Sequence, residues 1–189
     1  MFNWLRKKHL SKNDSEIDDQ MSSHKIQFPA NQNMQEKCLA LKKMGNEFLS
    51  QGRLTEAENA YRQAIAIDSR YADVLVNLGF ILRVQDKSSE AEQCLLQALE
   101  INPGMEDAYF ILGEILQSRG DLAGAIENYR KALQLKPEFE HVYNNLYNAL
   151  DQNGQDQEAR EVLDQAIVLN PNSVEFNFLK GNAFAKEGD

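Results

Sequence analysis

Histidine, cysteine, proline and tryptophan are scarce in this chain: three, two, four and one of 189 residues. The two cysteines, Cys38 and Cys94, form no CxxC pair and no Cys/His cluster of zinc spacing, which excludes a disulfide framework and a structural zinc site. Isolated thiols of this kind act as small apolar core residues in a reducing compartment. His9, His24 and His141 are scattered, and the sequence has no nucleophile elbow, phosphate loop or metal-ligand cluster. No enzymatic activity, cofactor or metal is therefore expected of these residues. No apolar run approaches transmembrane length, so no membrane association is expected. The basic start, MFNWLRKKHL, lacks the apolar stretch that a signal peptide needs, so a cytoplasmic location is expected.

Positive charge is also in short supply. Lys and Arg number 20 against 29 Asp and Glu, for a formal net charge of -9 and a pI near 4.9. Phosphate backbones repel such a surface, which excludes nucleic acid as the main partner and favours partners with basic or apolar segments. Few prolines and ten glycines, with recurrent alanine and leucine, favour helix over sheet. Residues 1–35 stand apart. Arg6, Lys7, Lys8 and Lys12 precede Asp14, Glu16, Asp18 and Asp19, and the polar SSHKIQFPANQN follows. This stretch is expected to be a mobile polar tail; an untethered start is the simpler expectation, and an anchor formed by Phe2, Trp4 and Leu5 near its tip is the alternative.

What is abundant is repetition. Gly45, Gly79 and Gly113 are spaced by 34 residues, and Gly181 follows 68 further on. Ala57, Ala91, Ala125 and Ala159 keep the same step, as do Ala64, Ala98, Ala132 and Ala166. Pro103, Pro137 and Pro171 keep it too, with Ser69 in the first equivalent place. Several registers sharing one period mark a repeat array. Within each unit the pattern is helix, turn, helix. Leu41, Met44, Phe48 and Leu49 have helical spacing, and Gly52 breaks it. Thr55-x-x-Glu58 and Ser89-x-x-Glu92 fit capping boxes for the second helices, which end near Ser69 or at the prolines. The small residues allow two helices to approach closely, Gly45 near Ala57, Gly79 near Ala91 and Gly113 near Ala125. Tyr61, Leu95, Tyr129 and Leu163 fill the remaining gaps.

These residues resemble the tetratricopeptide repeat (TPR), a 34-residue helical hairpin. Asn102-Pro103-Gly104 and Leu135-Lys136-Pro137 sit where that family ends its second helix. The resemblance covers about four-fifths of the chain as repeats 38–71, 72–105, 106–139 and 140–173, with the first helix of a truncated fifth from 174 to 189. It is similar to the arrays of bacterial scaffold proteins and of O-linked N-acetylglucosamine transferase. The fold implied is all-α, a right-handed superhelical solenoid of antiparallel hairpins. Leu41, Leu75, Tyr109 and Tyr143 take the family's tryptophan-like position. Tyr147 replaces a repeat glycine, which must push the two helices of its hairpin apart or send the ring to the rim. The turn-like ending Gly188-Asp189 suggests a fragment of a longer protein.

The resemblance implies a concave groove lined by first helices, where the family binds peptides. Groove positions are Leu39, Lys42, Lys43, Asn46 and Leu49 in the first unit, and Asp73, Val76, Asn77, Phe80 and Arg83 in the second. The third offers Asp107, Phe110, Ile111, Glu114 and Gln117, and the fourth His141, Asn144, Asn145, Asn148 and Asp151. Lys42, Asn46 and Asn77 match three positions of the branch that clamps the C-terminal carboxylate of chaperone tails. Asp107 and Ile111 take the other two and cannot grip a carboxylate, which argues against that specificity. Asn77 and Asn145 match the asparagine ladder of the transferase branch, but Lys43, Ile111 and Leu179 do not. Val76, Phe80, Phe110 and Ile111 are expected to form an exposed apolar patch ringed by Asp73, Asp107 and Glu114, which usually marks a binding site. The implied function is a protein-interaction module whose peptide partner carries apolar and basic residues. Alternatives are the N-terminal region of a larger transferase and a scaffold that self-associates through its tail or fifth repeat.

Overall fold

The computed structural model describes Ile26, Phe28 and residues 33–187. The expected anchor residues Phe2, Trp4 and Leu5, and the ending Gly188-Asp189, lie outside the described residues. Among those described there are nine α-helices and no strand. The chain divides into two compact units, residues 1–101 and 102–189. The first contains α1 (Met34–Ser50), α2 (Leu54–Ile67), α3 (Ala72–Val84) and α4 (Ser88–Ile101). The second contains α5 (Glu106–Ser118), α6 (Leu122–Leu135), α7 (Glu140–Gln152), α8 (Asp156–Leu169) and α9 (Val174–Glu187). Each short turn folds a helix back on its predecessor, giving hairpins α1–α2, α3–α4, α5–α6 and α7–α8. Within the units, α2 also packs on α3, α6 on α7 and α8 on α9.

One turn geometry closes every hairpin. The backbone is left-handed at Gly52 (φ 77°), Asp86 (φ 61°), Gly120 (φ 83°) and Gly154 (φ 74°). The next amide donates back across the helix end each time: Arg53 to the Phe48 carbonyl (2.9 Å), Lys87 to Leu82 (2.8 Å), Asp121 to Leu116 (3.0 Å) and Gln155 to Leu150 (2.9 Å). Carbonyls that a helix end leaves unpaired are satisfied this way, and the left-handed residue makes the reversal possible. Glycine is the residue that enters that region without strain, yet Asp86 holds one of the four places.

The expected capping boxes at Thr55 and Ser89 are not formed. α2 begins at Leu54, its N-cap residue is Arg53 without a side-chain cap, and α4 already begins at Ser88. Thr55 and Ser89 therefore lie inside the first turn, too late to cap. Glu58 instead pairs with Arg62 (2.8 Å) and Lys87 (3.3 Å). Burial alone would raise the Glu58 carboxyl, but these two cations outweigh it and hold its pKa below the ordinary value. A capping box does occur at Asn33 and Glu36, where α1 starts. Asp121 caps α6 by accepting from the Gly124 amide at 3.0 Å. Upstream of α1, the Ile26 amide donates to Gln63 Oε1 at 3.0 Å, and Ile26 and Phe28 are half-buried, so the expected polar tail already packs against α2 there.

The core is built on the repeat registers. Ala57, Ala91, Ala125, Ala64, Ala98 and Ala132 are fully buried, and Ala159 and Ala166 nearly so. The glycines face the rings and branches of the second helix more than its alanines. A Cβ at Gly45 would lie 2.3 Å from the Tyr61 ring, one at Gly113 2.4 Å from the Tyr129 ring, and one at Gly79 2.8 Å from Leu95 and 3.3 Å from the Ala91 carbonyl. Tyr147 and Leu163 exchange those roles in the fourth hairpin, with the ring on the first helix. Tyr147 is buried at 6% exposure, so it does not swing to the rim, and α7 and α8 pack less closely than the other hairpins.

Two outcomes test this account. Gly113→Val should lower stability by about 1–3 kcal/mol, because the Tyr129 ring must move to admit the side chain; an unchanged urea midpoint would contradict the close approach. Asp86→Gly should raise stability by about 0.5–1 kcal/mol by relieving left-handed backbone strain, read as a higher urea midpoint at constant slope.

Candidate functional site

The expected groove residues belong to the first helix of each hairpin, and the structure joins them within each unit. In the first unit Lys42 Nζ meets Asp73 Oδ2 at 2.5 Å, and the ammonium lies 5.1 Å from the centre of the Tyr71 ring. One turn on, Asn46 Oδ1 accepts from Asn77 Nδ2 at 3.1 Å and from the Tyr61 hydroxyl at 2.7 Å. Burial disfavours the charged Lys42, but the hydrogen bond and charge of Asp73, helped by Tyr71, hold its pKa above the usual lysine value. In the second unit Asn145 Nδ2 donates to Glu114 Oε1 at 3.5 Å, Asn148 donates to Asn144 at 3.1 Å, and Asn144 donates to Glu175 on α9.

These contacts follow one rule. Lys42–Asp73, Asn46–Asn77, Glu114–Asn145 and Asn144–Glu175 are each 31 residues apart. That is three short of the repeat, so neighbouring first helices are staggered by about one turn. A ladder of polar side chains thus runs from each first helix to the next within a unit. An amide has two donor and two acceptor sites, so one ladder bond leaves capacity for a ligand. Beyond the ladder, Lys136 pairs with Glu106 (3.3 Å) and Asn170 with Glu140 (3.0 Å), a second repeated contact 30 residues long.

The expected exposed apolar patch is corrected. Val76, Phe80, Phe110 and Ile111 have only 3%, 6%, 9% and 1% of their surface exposed. Phe110 packs between the Tyr129 and Phe139 rings, at centroid distances of 6.1 and 5.2 Å. Its helix position can serve packing as well as the groove, and at Phe110 the neighbouring Tyr129 and Phe139 rings supply the apolar cover. The Arg83 guanidinium lies 5.9 Å from the Phe80 ring centre, and Gln117 accepts from the Tyr129 hydroxyl at 2.8 Å. Leu49 is buried as well.

Among the described side chains, an exposed aromatic on a first helix is one the sequence reading passed over. Phe178 on α9 is 66% exposed and Val174, one turn earlier, 83%. Phe178 falls 34 residues after Asn144 and 68 after Phe110, so extending the groove register by one step would have found it. Asp107 stands on the same face of its unit. Burial, then the charge of neighbouring Glu106, raises its carboxyl above the ordinary range, against a smaller opposing effect of Lys136. A cavity of about 380 Å³ in the first unit, lined by Met34, Gln35, Cys38, Ile67, Asp68 and Tyr71, includes none of the expected groove residues.

Chemically the site offers amides, carboxylates and an apolar surface. Burial, followed by the charge of Asp68, pushes the Cys38 thiol up, and burial does the same for Cys94, so neither is activated as a nucleophile. Among the described residues no His, Cys, Asp and Glu group could hold a metal ion, and no helix is long and apolar enough to cross a membrane.

Stacked helical hairpins of fixed period, small residues at each close approach and a polar ladder on the first helices define a helical repeat protein. The chain belongs to the tetratricopeptide repeat family. Sequence profiles of that family match residues 45–85, 113–154 and 148–188 (TPR repeat) and 72–105 (tetratricopeptide repeat). The fold is similar to that of MamA, at 26% identity over 71% of this chain and 78% of that one, TM-score 0.67. It is similar to YrrB, described as a TPR protein with an unusual peptide-binding site, at 22% identity over 76% and 74%, TM-score 0.66. It is also similar to the first TPR of Spaghetti (RPAP3) bound to an HSP90 peptide, at 24% identity over 67% and 99%, TM-score 0.61. A search of curated proteins found no match.

The raised Asp107 carboxyl makes a prediction about pH. The fold favours its protonated form, so its contribution to stability falls as pH rises through the carboxylate range. Asp107→Asn should therefore raise the melting temperature at neutral pH and leave it unchanged in acid below that range.

Proposed function

We propose that the chain is a protein-interaction module that binds a peptide along the first helices of its second unit. Asp107, Glu114, Asn144, Asn145 and Asn148 would supply the polar contacts, and Phe178 the apolar one. The observation that carries this reading is the ladder of amides and acids that joins α5, α7 and α9, whose amides keep hydrogen-bonding capacity for a ligand. An apolar side chain of the ligand would cover Phe178, its backbone would use the spare amide capacity, and a Lys or Arg would meet the carboxylates. The peptide sites described for YrrB and for RPAP3 support the same use of the fold. A chain-terminal carboxylate is disfavoured as the ligand. Lys42 is already paired with Asp73, and acidic Asp107 and buried Ile111 stand where that specificity needs cations. In the first unit, Lys42, Asn46, Asp73, Asn77 and Arg83 form a separate, more charged set of first-helix residues.

This reading makes the module a non-catalytic scaffold of the cytoplasm. The two free, unactivated thiols support a reducing location. The family match and the peptide-site relatives favour it over a transferase accessory region or a self-assembling scaffold.

Labelled peptides that pair one aromatic with two basic residues test it by fluorescence anisotropy. Phe178→Ala and Asn144→Ala together should weaken binding at least about tenfold, or ~1.4 kcal/mol, with helix content unchanged by circular dichroism. Equal affinity of the double variant and the native chain would remove these residues from the site.

A further inference from the structure

We propose that Asn153 is a modification site, losing its side-chain amide through a cyclic imide with Gly154, and that the turn of the fourth hairpin gates the reaction. Asn153-Gly154 is the single Asn-Gly pair of the chain. The backbone nitrogen of Gly154 can attack the side-chain carbonyl carbon of Asn153, because glycine brings no side chain to hinder the approach. A bond forms between Gly154 N and Asn153 Cγ, the Cγ–Nδ2 bond breaks, and ammonia leaves with the proton of the Gly154 amide. Water then opens the five-membered ring at either carbonyl. One opening yields aspartate. The other yields isoaspartate, in which the main chain runs through Cβ.

The fourth hairpin alone puts this chemistry in the turn. The same place holds Gln51, Gln85 and Arg119 in the other hairpins, and none of these can close a five-membered imide. Asn153 and Gly154 are exposed, and no described residue lies within 4 Å of where a Gly154 Cβ would stand, so water reaches the pair.

The native turn holds the reaction back. At Asn153 ψ is 2°, which points the Gly154 nitrogen towards the Asn153 nitrogen and away from its Cβ, where the ring would have to close. The Gly154 amide also donates to the Asp151 carbonyl at 3.2 Å, and the Gln155 amide to the Leu150 carbonyl at 2.9 Å. Asn153 Nδ2 donates to Gln155 Oε1 at 2.8 Å. These contacts must open before the nitrogen can turn. With Tyr147 in place of a first-helix glycine, α7 and α8 pack less closely than the other pairs, so this hairpin opens more readily than they do.

Reaction impairs reclosure. Either product places a carboxylate at the C-terminal end of α7, near Asp151, where the helix dipole disfavours negative charge. It also removes the bond donated to Gln155. Isoaspartate adds one main-chain atom to a turn that the Gln155–Leu150 bond closes, so that bond cannot re-form in its native geometry.

Peptide mass mapping tests this on the full chain, held at mildly alkaline pH beside a synthetic peptide of residues 149–158. Asn153 should convert before every other asparagine of the nine helices and their turns. It should do so at least about tenfold more slowly than in the peptide, as for a site that reacts only when locally open. Sub-denaturing urea should narrow that difference. Leu163→Ala, which removes a buried contact of α8, should speed conversion several-fold with helix content unchanged by circular dichroism, whereas Leu95→Ala in the second hairpin should not. Chain purified in the isoaspartate form should melt below Asn153→Asp, and Asn153→Asp below the native chain. Conversion as fast as in the peptide overturns the gate, as does conversion that neither urea nor Leu163→Ala accelerates. Earlier conversion at another of those asparagines overturns the site. An isoaspartate chain that melts with the native one overturns the impaired reclosure.

Discussion

A helix can lie against its partner only as closely as the side chains between them allow, and here three hairpins close on a glycine. At Gly45 and Gly113 a tyrosine ring of the second helix occupies the space of the missing side chain, and at Gly79 a leucine does so. The tyrosine hydroxyls then reach polar partners at the groove edge, Tyr61 to Asn46 and Tyr129 to Gln117. The packing contact inside the hairpin therefore also sets the position of groove side chains. In the fourth hairpin the aromatic moves to the first helix as Tyr147, the helices separate, and the coupling takes another form.

From that contact the site follows by geometry. Within each unit, hairpins of equal length place successive first helices side by side, and their stagger pairs polar residues 31 positions apart. The first-helix face of each unit thus carries an internally bonded row of polar side chains, Lys, Asp and Asn in the first and Asn and Glu in the second. The one ion pair among these contacts, Lys42–Asp73, is of a part-exposed kind that contributes little stability, about 0–1 kcal/mol. The larger effect of these contacts is to fix side-chain positions before a ligand arrives, which lowers the entropic cost of binding.

Much of this was legible in the residues. The 34-residue step located the close-packed alanines and glycines, because every hairpin meets the same steric demand at the same place. Pro103, Pro137 and Pro171 marked the ends of α4, α6 and α8, since a proline ring cannot continue a helix. Less legible was whether a groove position faces water. Phe110 and Asn144 share one register, yet the phenylalanine turns to Tyr129 and Phe139 while the asparagine stays on the ladder. The capping boxes failed for a related reason. The left-handed turn residues start the second helix before Thr55 and Ser89, a register set by the hairpin and not by the local motif.

By itself, the sequence determined the period, the all-helical class and the family, because each depends on residue size and spacing repeated along the chain. Tertiary structure alone decided which polar residues pair and which apolar residues are covered. Those outcomes depend on the stagger between neighbouring helices. That stagger arises from packing between residues about thirty apart, which no local pattern records.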